Sequence, residues 1–147
     1  MTLHRRPLGR GRTLAAVSGP LIVIGCLLPW WKVGGTPGIP EISGTGLAGT
    51  GIVVFLVGLA TMALVVLPYA VGDRPLGLDR WLSFAILAVA GWIGLGFRVF
   101  ELAVNGAFQF NTPADVFTSG PGLWIAALGL VILSRATYTM TRESIYR

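Results

Sequence analysis

Arg98 and Glu101 are the two residues of this chain best placed to do chemistry, because both fall inside a long apolar run. Ionisable groups within a membrane span are candidates for a functional site, and two residues three apart share a helix face and can pair. Counted from Trp81 at about 1.5 Å per residue, Arg98 lies about 26 Å along its helix, near the outer membrane interface. This position favours a structural ion pair that pins the second outer loop. A gate for ions or a substrate stays the alternative.

Few other residues could carry catalysis or hold a metal. The only histidine, His4, lies in the basic N-terminal arm, so Ser43 and Ser119 have no histidine on the outer side to activate them. The single cysteine, Cys26, lies within an apolar run, and no His/Cys/Asp/Glu cluster has the spacing of a metal site. A G-x-G-x-x-G match at 44–49 follows a proline-rich loop and has no acid about 20 residues later, as a dinucleotide site would require. The sequence predicts no metal, no cofactor and no enzyme activity.

Two related loops organise the chain around these residues. Segment 36–47 reads TPGIPEISGTGL and segment 112–123 reads TPADVFTSGPGL, so both fit T-P-x5-S-G-x-G-L. Apart from the final leucine, the matching residues are Thr36, Pro37, Ser43, Gly44 and Gly46 in the first loop, and Thr112, Pro113, Ser119, Gly120 and Gly122 in the second. Each loop follows one apolar run and leads into the next, which predicts two helical hairpins related as a parallel repeat. The T-P-x-D that opens the second loop predicts a short helical turn there.

Composition predicts that the helices lie in a membrane. The chain is 54% hydrophobic and 12% charged, whereas soluble domains carry about 25% charged residues. Four apolar runs are long enough to span a bilayer, at about 13–30, 47–71, 81–104 and 122–138. A basic arm at 1–12 precedes them and a polar tail at 139–147 follows. The predicted fold is an all-α membrane protein with four transmembrane helices and short outer loops.

The positions of the charges predict the orientation. Nine of the eleven Lys and Arg residues lie toward the two termini or in the central turn at 72–80, and the two outer connections between spans hold only Lys32. Since cytoplasmic segments carry the excess of Lys and Arg, both termini are predicted to be cytoplasmic, in a multi-pass protein of the plasma membrane. The net charge of +5 is spread around apolar runs and is not gathered on one face, so nucleic-acid binding is not predicted.

Tryptophans and small residues indicate where the spans meet lipid and one another. Trp30, Trp31, Trp81 and Trp124 are predicted to anchor the spans at the membrane interfaces, and the mid-span Trp92 is a candidate for contact with a bound ligand. Small residues let helices approach closely in lipid, and the third and fourth spans carry Ala90, Gly91, Gly94, Gly96, Gly122 and Ala126. The third span is therefore predicted to be the one crossed most tightly by a neighbour.

The plan of four spans, cytoplasmic ends and an outer loop after an aromatic cluster resembles that of claudins. Claudins carry a W-x-G-L-W…C…C loop, however, and the first outer loop here has no cysteine, so no family is assigned. The arginine-heavy, glycine-rich composition resembles that of small four-span proteins of GC-rich bacteria.

Three functional hypotheses follow from these features. The leading one is a non-catalytic accessory subunit of a larger membrane complex, or a homo-oligomer, acting through helix and outer-loop contacts with other membrane subunits or itself. The second is a small homo-oligomeric transporter or channel with Arg98 and Glu101 at its mouth. The third is a protein that binds a lipid or a hydrophobic cofactor.

Overall fold

The computed structural model describes residues 9–71, 81–108 and 114–145. These residues form the following elements in chain order: α1 (Arg10–Leu27), β1 (Pro29–Val33), β2 (Ile42–Thr45), α2 (Gly51–Val71), α3 (Trp81–Val104), α4 (Asp115–Thr118) and α5 (Pro121–Ile145). The central turn at 72–80 and the matched residues Thr112 and Pro113 lie outside the described residues.

Four helices, α1, α2, α3 and α5, are long and apolar enough to cross a membrane. The prediction of a mostly helical fold with four apolar helices is thereby confirmed. Helix α3 has the predicted bounds, whereas α1 ends at Leu27 instead of reaching residue 30. The cause is local: Leu28 is extended, because the residue before a proline is disfavoured in the helical region.

The start of α2 and the end of α5 also differ from the predicted boundaries. Helix α2 begins at Gly51 instead of residue 47, because β2 is followed by turns over 46–50, where Gly49 has a φ of +60°. Helix α5 continues to Ile145, so the predicted polar tail is helical over most of its length. The hydroxyls of Thr139 and Thr141 donate to carbonyls four residues earlier in the same helix, so these polar side chains are satisfied within it.

The four long helices form an up-and-down bundle in which neighbours run antiparallel. Helix α1 packs on α5 and α2, α2 on α3, and α3 on α5. The side chains that fill the interior are apolar and almost fully buried, and the largest of them are Ile22, Trp30, Val54, Phe84, Leu130 and Leu133. Large apolar side chains also cover the outside of the bundle, including Ile86, Val89, Ile93 and Phe97 on α3. A helix that is apolar on all sides is typical of a membrane span.

The closest helix contact is between α1 and α5, and not at α3 as the glycine pattern predicts. A Cβ on Gly25 would collide with the backbone of Ala126, because two small residues face each other there. Gly91 and Gly94 of α3 instead meet the larger side chains of Leu130 and Val53.

The other small residues of α3 contribute less to helix contacts. Ala90 is partly buried against the core. Gly96 has open space around it, with no atom within 4 Å of where a Cβ would lie. Only part of the predicted small-residue face of α3 is therefore used for packing.

The segment between α1 and α2, which includes the first repeated loop, forms a β-hairpin, where the sequence predicts only a loop between two helices. Strands β1 and β2 are antiparallel, with Trp31 opposite Gly44, Lys32 opposite Ser43 and Val33 opposite Ile42. The turn between them is made by glycines with φ near +90°, such as Gly34 at +94° and Gly38 at +94°, a conformation that favours glycine.

The second repeated loop has a different structure. Its described part, 114–120, holds α4, the short helical turn that the sequence predicts. The two copies thus share glycine positions but not backbone conformation. We call β1, β2 and α4 together the cap, and the opposite end of the bundle, where α1 begins and α5 ends, the terminal end.

Candidate functional site: the cap and its anchor

The matched glycines of both loops surround one segment, the end of α1 and the start of β1. A Cβ on Gly44 would collide with the indole of Trp31, and one on Gly46 with the indole of Trp30. A Cβ on Gly120 would collide with the carbonyl oxygen of Trp30. Gly122 lies equally close to the carbonyl oxygens at the end of α1. These four positions therefore share one physical role, which is to let two loops approach the Trp30–Trp31 segment.

Trp30 closes the end of α1. It is 1% exposed, and its indole Nε1 donates a hydrogen bond of 2.9 Å to the carbonyl oxygen of Gly25. The amide of Gly46 donates a second bond, also 2.9 Å, to the carbonyl oxygen of Cys26. Two carbonyls that the last turn of α1 leaves without a helical donor are thus satisfied by the cap.

The other tryptophans predicted at the interfaces are partly exposed. Trp81 and Trp124 have more than a third of their surface open, and the Trp124 ring lies 5.1 Å from that of Phe117 in α4. Trp31 is half-buried, and its Nε1 has no hydrogen-bond partner among the described residues. The aromatic cluster therefore includes one ring, that of Trp30, that belongs to the core and does not lie at an interface.

Arg98 and Glu101 form an ion pair next to the cap. Arg98 Nη1 lies 2.8 Å from Glu101 Oε2, and Arg98 is only 6% exposed. The hydroxyl of Thr50 donates to the same carboxylate oxygen at 3.3 Å. Gly49, with φ +60°, brings the backbone so close that a Cβ would collide with the guanidinium. The pair thus holds the segment that leads into α2. Residues 109–113 of the second outer loop, the contact that the sequence predicts, lie outside the described residues.

The surroundings of Arg98 explain why it needs this partner. A guanidinium removed from water loses several kcal/mol of hydration that a carboxylate and further hydrogen bonds must offset. Glu101 supplies the carboxylate, and its side chain remains 40% exposed. Arg98 Nε is buried without a hydrogen-bond partner in the described part of the chain. The arginine of the pair is therefore buried in a structural contact, and the solvent-exposed surface of the pair belongs mainly to Glu101.

Trp92, the predicted ligand contact, is tied to α5. Its Nε1 donates to the hydroxyl of Ser134 at 3.0 Å, and that hydroxyl donates to the carbonyl oxygen of Leu130 at 2.9 Å. Trp92 is thus a polar link between α3 and α5 within apolar surroundings.

A cavity of about 210 Å³ lies under the cap. Its walls are almost wholly apolar, and their lining residues are Trp30, Trp31, Val99, Ala107, Phe108, Ser119, Gly120, Leu123 and Trp124. Ser119 provides the only side-chain hydroxyl of this lining. A cavity with such walls is suited to bind an apolar small molecule or acyl chain that carries few polar atoms.

The two buried hydroxyls of the bundle interior, those of Ser18 and Thr61, are satisfied by their own helices. The Ser18 hydroxyl donates to the carbonyl oxygen of Ala15 at 2.9 Å, and the Thr61 hydroxyl donates to that of Val57 at 2.7 Å. Within the described ranges no three His, Cys, Asp or Glu residues come together as metal ligands would.

Comparison of the chain with protein-family models, with curated protein sequences and with solved structures finds no match. The functional argument therefore rests on the geometry above.

Proposed function

We propose that this chain is a multi-pass protein of the plasma membrane with both termini in the cytoplasm. It acts without catalysis, as an accessory subunit of a larger membrane complex or as a homo-oligomer. Its contacts are made by the cap on the outer side and by the apolar faces of the helices. The four apolar helices support membrane insertion, and the distribution of Lys and Arg supports the orientation.

The observation that carries this proposal is the apolar surface of a firmly anchored cap. Ile39 and Ile42 of the β-hairpin are each 59% exposed, and Phe117 of α4 is 63% exposed. These residues lie beyond the four long helices, where water or headgroups would surround them in an isolated protein. Exposed apolar patches on an ordered frame are typical of surfaces that bind another protein.

The anchoring also supports an assembly role over a transport role. Arg98 is buried and engaged by Glu101 next to Gly49, and the interior hydroxyls described above face carbonyls of their own helices. The polar groups of this chain thereby stabilise its structure, whereas a conducting pathway needs polar groups that face a water-filled space.

The proposal can be tested by photo-crosslinking in the native membrane. A photoreactive amino acid at position 39 or 42 should give a discrete crosslinked protein product. The same amino acid at position 17, where Val17 is about half exposed on α1, tests whether the outer face of that helix also takes part. Discrete products from position 17 alone, or from none of the three positions, would contradict a partner at the cap.

A second candidate function, binding of an apolar small molecule, is favoured by the cavity under the cap. The substitution Ala107→Trp would fill part of that cavity from its lining. If the cavity holds a ligand, an apolar compound should co-purify with the wild-type protein and be lost from this variant, as measured by solvent extraction and mass spectrometry. If the Ala107→Trp variant retained the compound, the compound would bind outside this cavity.

A further inference from the structure

Two arginines and one tyrosine form a cluster on α5 at the terminal end of the bundle. The guanidinium carbon of Arg135 lies 5.7 Å from the centre of the Tyr138 ring, and that of Arg142 lies 4.8 Å from it. Cation–π contacts of this kind hold a guanidinium beside the ring at a surface position. One aromatic ring therefore keeps two positive groups close together.

These two arginines differ from Lys32 and Arg98 in their partners. Lys32 is paired with Glu41 at 3.1 Å and Arg98 with Glu101 at 2.8 Å. Neither Arg135 nor Arg142 has a carboxylate within ion-pair distance among the described residues, and the nearby Glu143 has its carboxylate beside Gly9 of the N-terminal segment. Two guanidinium groups beside one ring and without an acidic partner make a local positive charge, which a nearby anion would stabilise.

The same face of α5 continues as an apolar stripe. Leu128 and Val131 precede Arg135 at spacings of seven and four residues, which places them on one side of the helix. Both are more than half exposed, and Tyr138 is about half exposed. The face thus offers apolar contact along the helix and paired guanidinium groups at its end.

The depth of the cluster fits the inner headgroup region. Tyr138 comes seventeen residues after Pro121, where α5 begins, so it lies about 26 Å along the helix. A bilayer has a hydrocarbon core about 30 Å thick. If the start of α5 is at the opposite interface, Tyr138 lies near the inner interface and Arg142 beyond it, and Arg135 lies one turn before Tyr138, from where a long side chain can reach the headgroups.

We propose that Arg135, Tyr138 and Arg142 bind the phosphate of an anionic phospholipid of the inner leaflet, with one acyl chain running along α5 as far as Val131, near the bilayer midplane. This inference rests on the membrane insertion and orientation given under the proposed function. The lipid, and not a free phosphate ion, is the occupant because the apolar stripe and the cationic pair occupy one helix face.

The test is native mass spectrometry of the full-length protein in detergent, titrated with phosphatidylglycerol or with phosphatidylcholine. The wild-type protein should retain phosphatidylglycerol in preference to phosphatidylcholine. The double variant R135Q/R142Q should bind phosphatidylglycerol about thirtyfold more weakly, since each arginine near an anionic lipid contributes about a fivefold gain. Tyr138→Phe keeps the ring and should bind as the wild type does, whereas Tyr138→Leu should bind less.

The matched control is R5Q/R6Q, which removes the same two charges from the N-terminal arm and should leave the affinity nearly unchanged. An equal loss in R5Q/R6Q, or no loss in R135Q/R142Q, would overturn the proposal. So would inorganic phosphate at the same concentration displacing the bound lipid, because a free anion would then suffice. Resistance of the protein to carbonate extraction from membranes checks insertion separately, so that failure of the lipid site can be told from failure of the proposed function.

Discussion

Arg98 shows how a single charged residue can be retained inside an apolar helix bundle. Its guanidinium is buried beside Gly49, and the carboxylate that offsets its charge comes from one turn later in the same helix. Thr50, the residue before α2, donates a hydrogen bond to that carboxylate. Removing the arginine and removing the glutamate are therefore not equivalent changes, because only the second leaves a buried charge without its partner.

Glu101→Gln should lower the thermal unfolding midpoint more than the double substitution R98M/E101Q does. The single change leaves the guanidinium uncompensated, whereas the double change removes both charges and fills the site with an apolar side chain. Unfolding followed in detergent would measure both. Lys32→Gln, which breaks the exposed pair with Glu41, is the control and should cost at most about 1 kcal/mol. A larger loss in the double variant than in Glu101→Gln would contradict this account of the pair.

Two variants of Trp30 measure separately how much its buried ring and its hydrogen bond contribute to stability. Trp30→Phe keeps most of the buried aromatic surface but loses the donor to the carbonyl oxygen of Gly25, and should cost about 1–3 kcal/mol in unfolding free energy. Trp30→Ala removes the ring as well and should cost about 3–5 kcal/mol. Equal and small losses in the two variants would show that Trp30 does not close the end of α1.

At the scale of elements, α1 and α5 form the closest contact of the bundle because small residues face each other along it. Gly25 meets the Ala126 backbone, and Gly122 meets carbonyl oxygens at the end of α1. The cap extends this contact, since the matched glycines of both loops lie against the Trp30–Trp31 segment. The two copies of the motif therefore share glycines that allow close packing, although they adopt different secondary structures.

Two glycine-to-alanine changes should have opposite effects. Gly25→Ala would press a methyl group into the Ala126 backbone and should destabilise the protein by about 1–3 kcal/mol. Gly96→Ala meets open space and should be neutral or stabilising by up to about 1 kcal/mol, because alanine favours the helix. Thermal unfolding of the two variants side by side would check this, and a tolerated Gly25→Ala would contradict the close α1–α5 contact.

At the scale of the whole molecule, the predictions from the sequence agree with the structure for features that depend on residues close together in the chain. The apolar runs predict the four long helices, and the spacing of Arg98 and Glu101 is that of two residues on one helix face. The neighbour of that pair, Gly49, could not be predicted, because it depends on how α2 packs beside α3. The β-hairpin was also missed, since two strands of five and four residues in a loop rich in Gly and Pro give too short an alternation to recognise.

The burial of Trp30 has a similar cause. Two adjacent tryptophans at the end of an apolar run are read most simply as an interfacial anchor. In the structure β1 directs Trp30 into the core and leaves Trp31 half-buried, because neighbouring residues of a strand point to opposite sides. The one sequence signal of this arrangement is the set of glycines repeated in the two loops, which mark where a side chain would not fit.

The measurement that tests the central claim most directly is the native mass of the protein, extracted gently from its own membrane, before and after the cap is altered. We expect a defined assembly, with foreign subunits or with further copies of the chain. It should be lost in I39S/I42S and kept in K32Q/E41Q, which changes the same hairpin without removing exposed apolar surface. A bare monomer in the wild type, or an assembly that survives I39S/I42S, would contradict the claim that the cap is a surface for assembly.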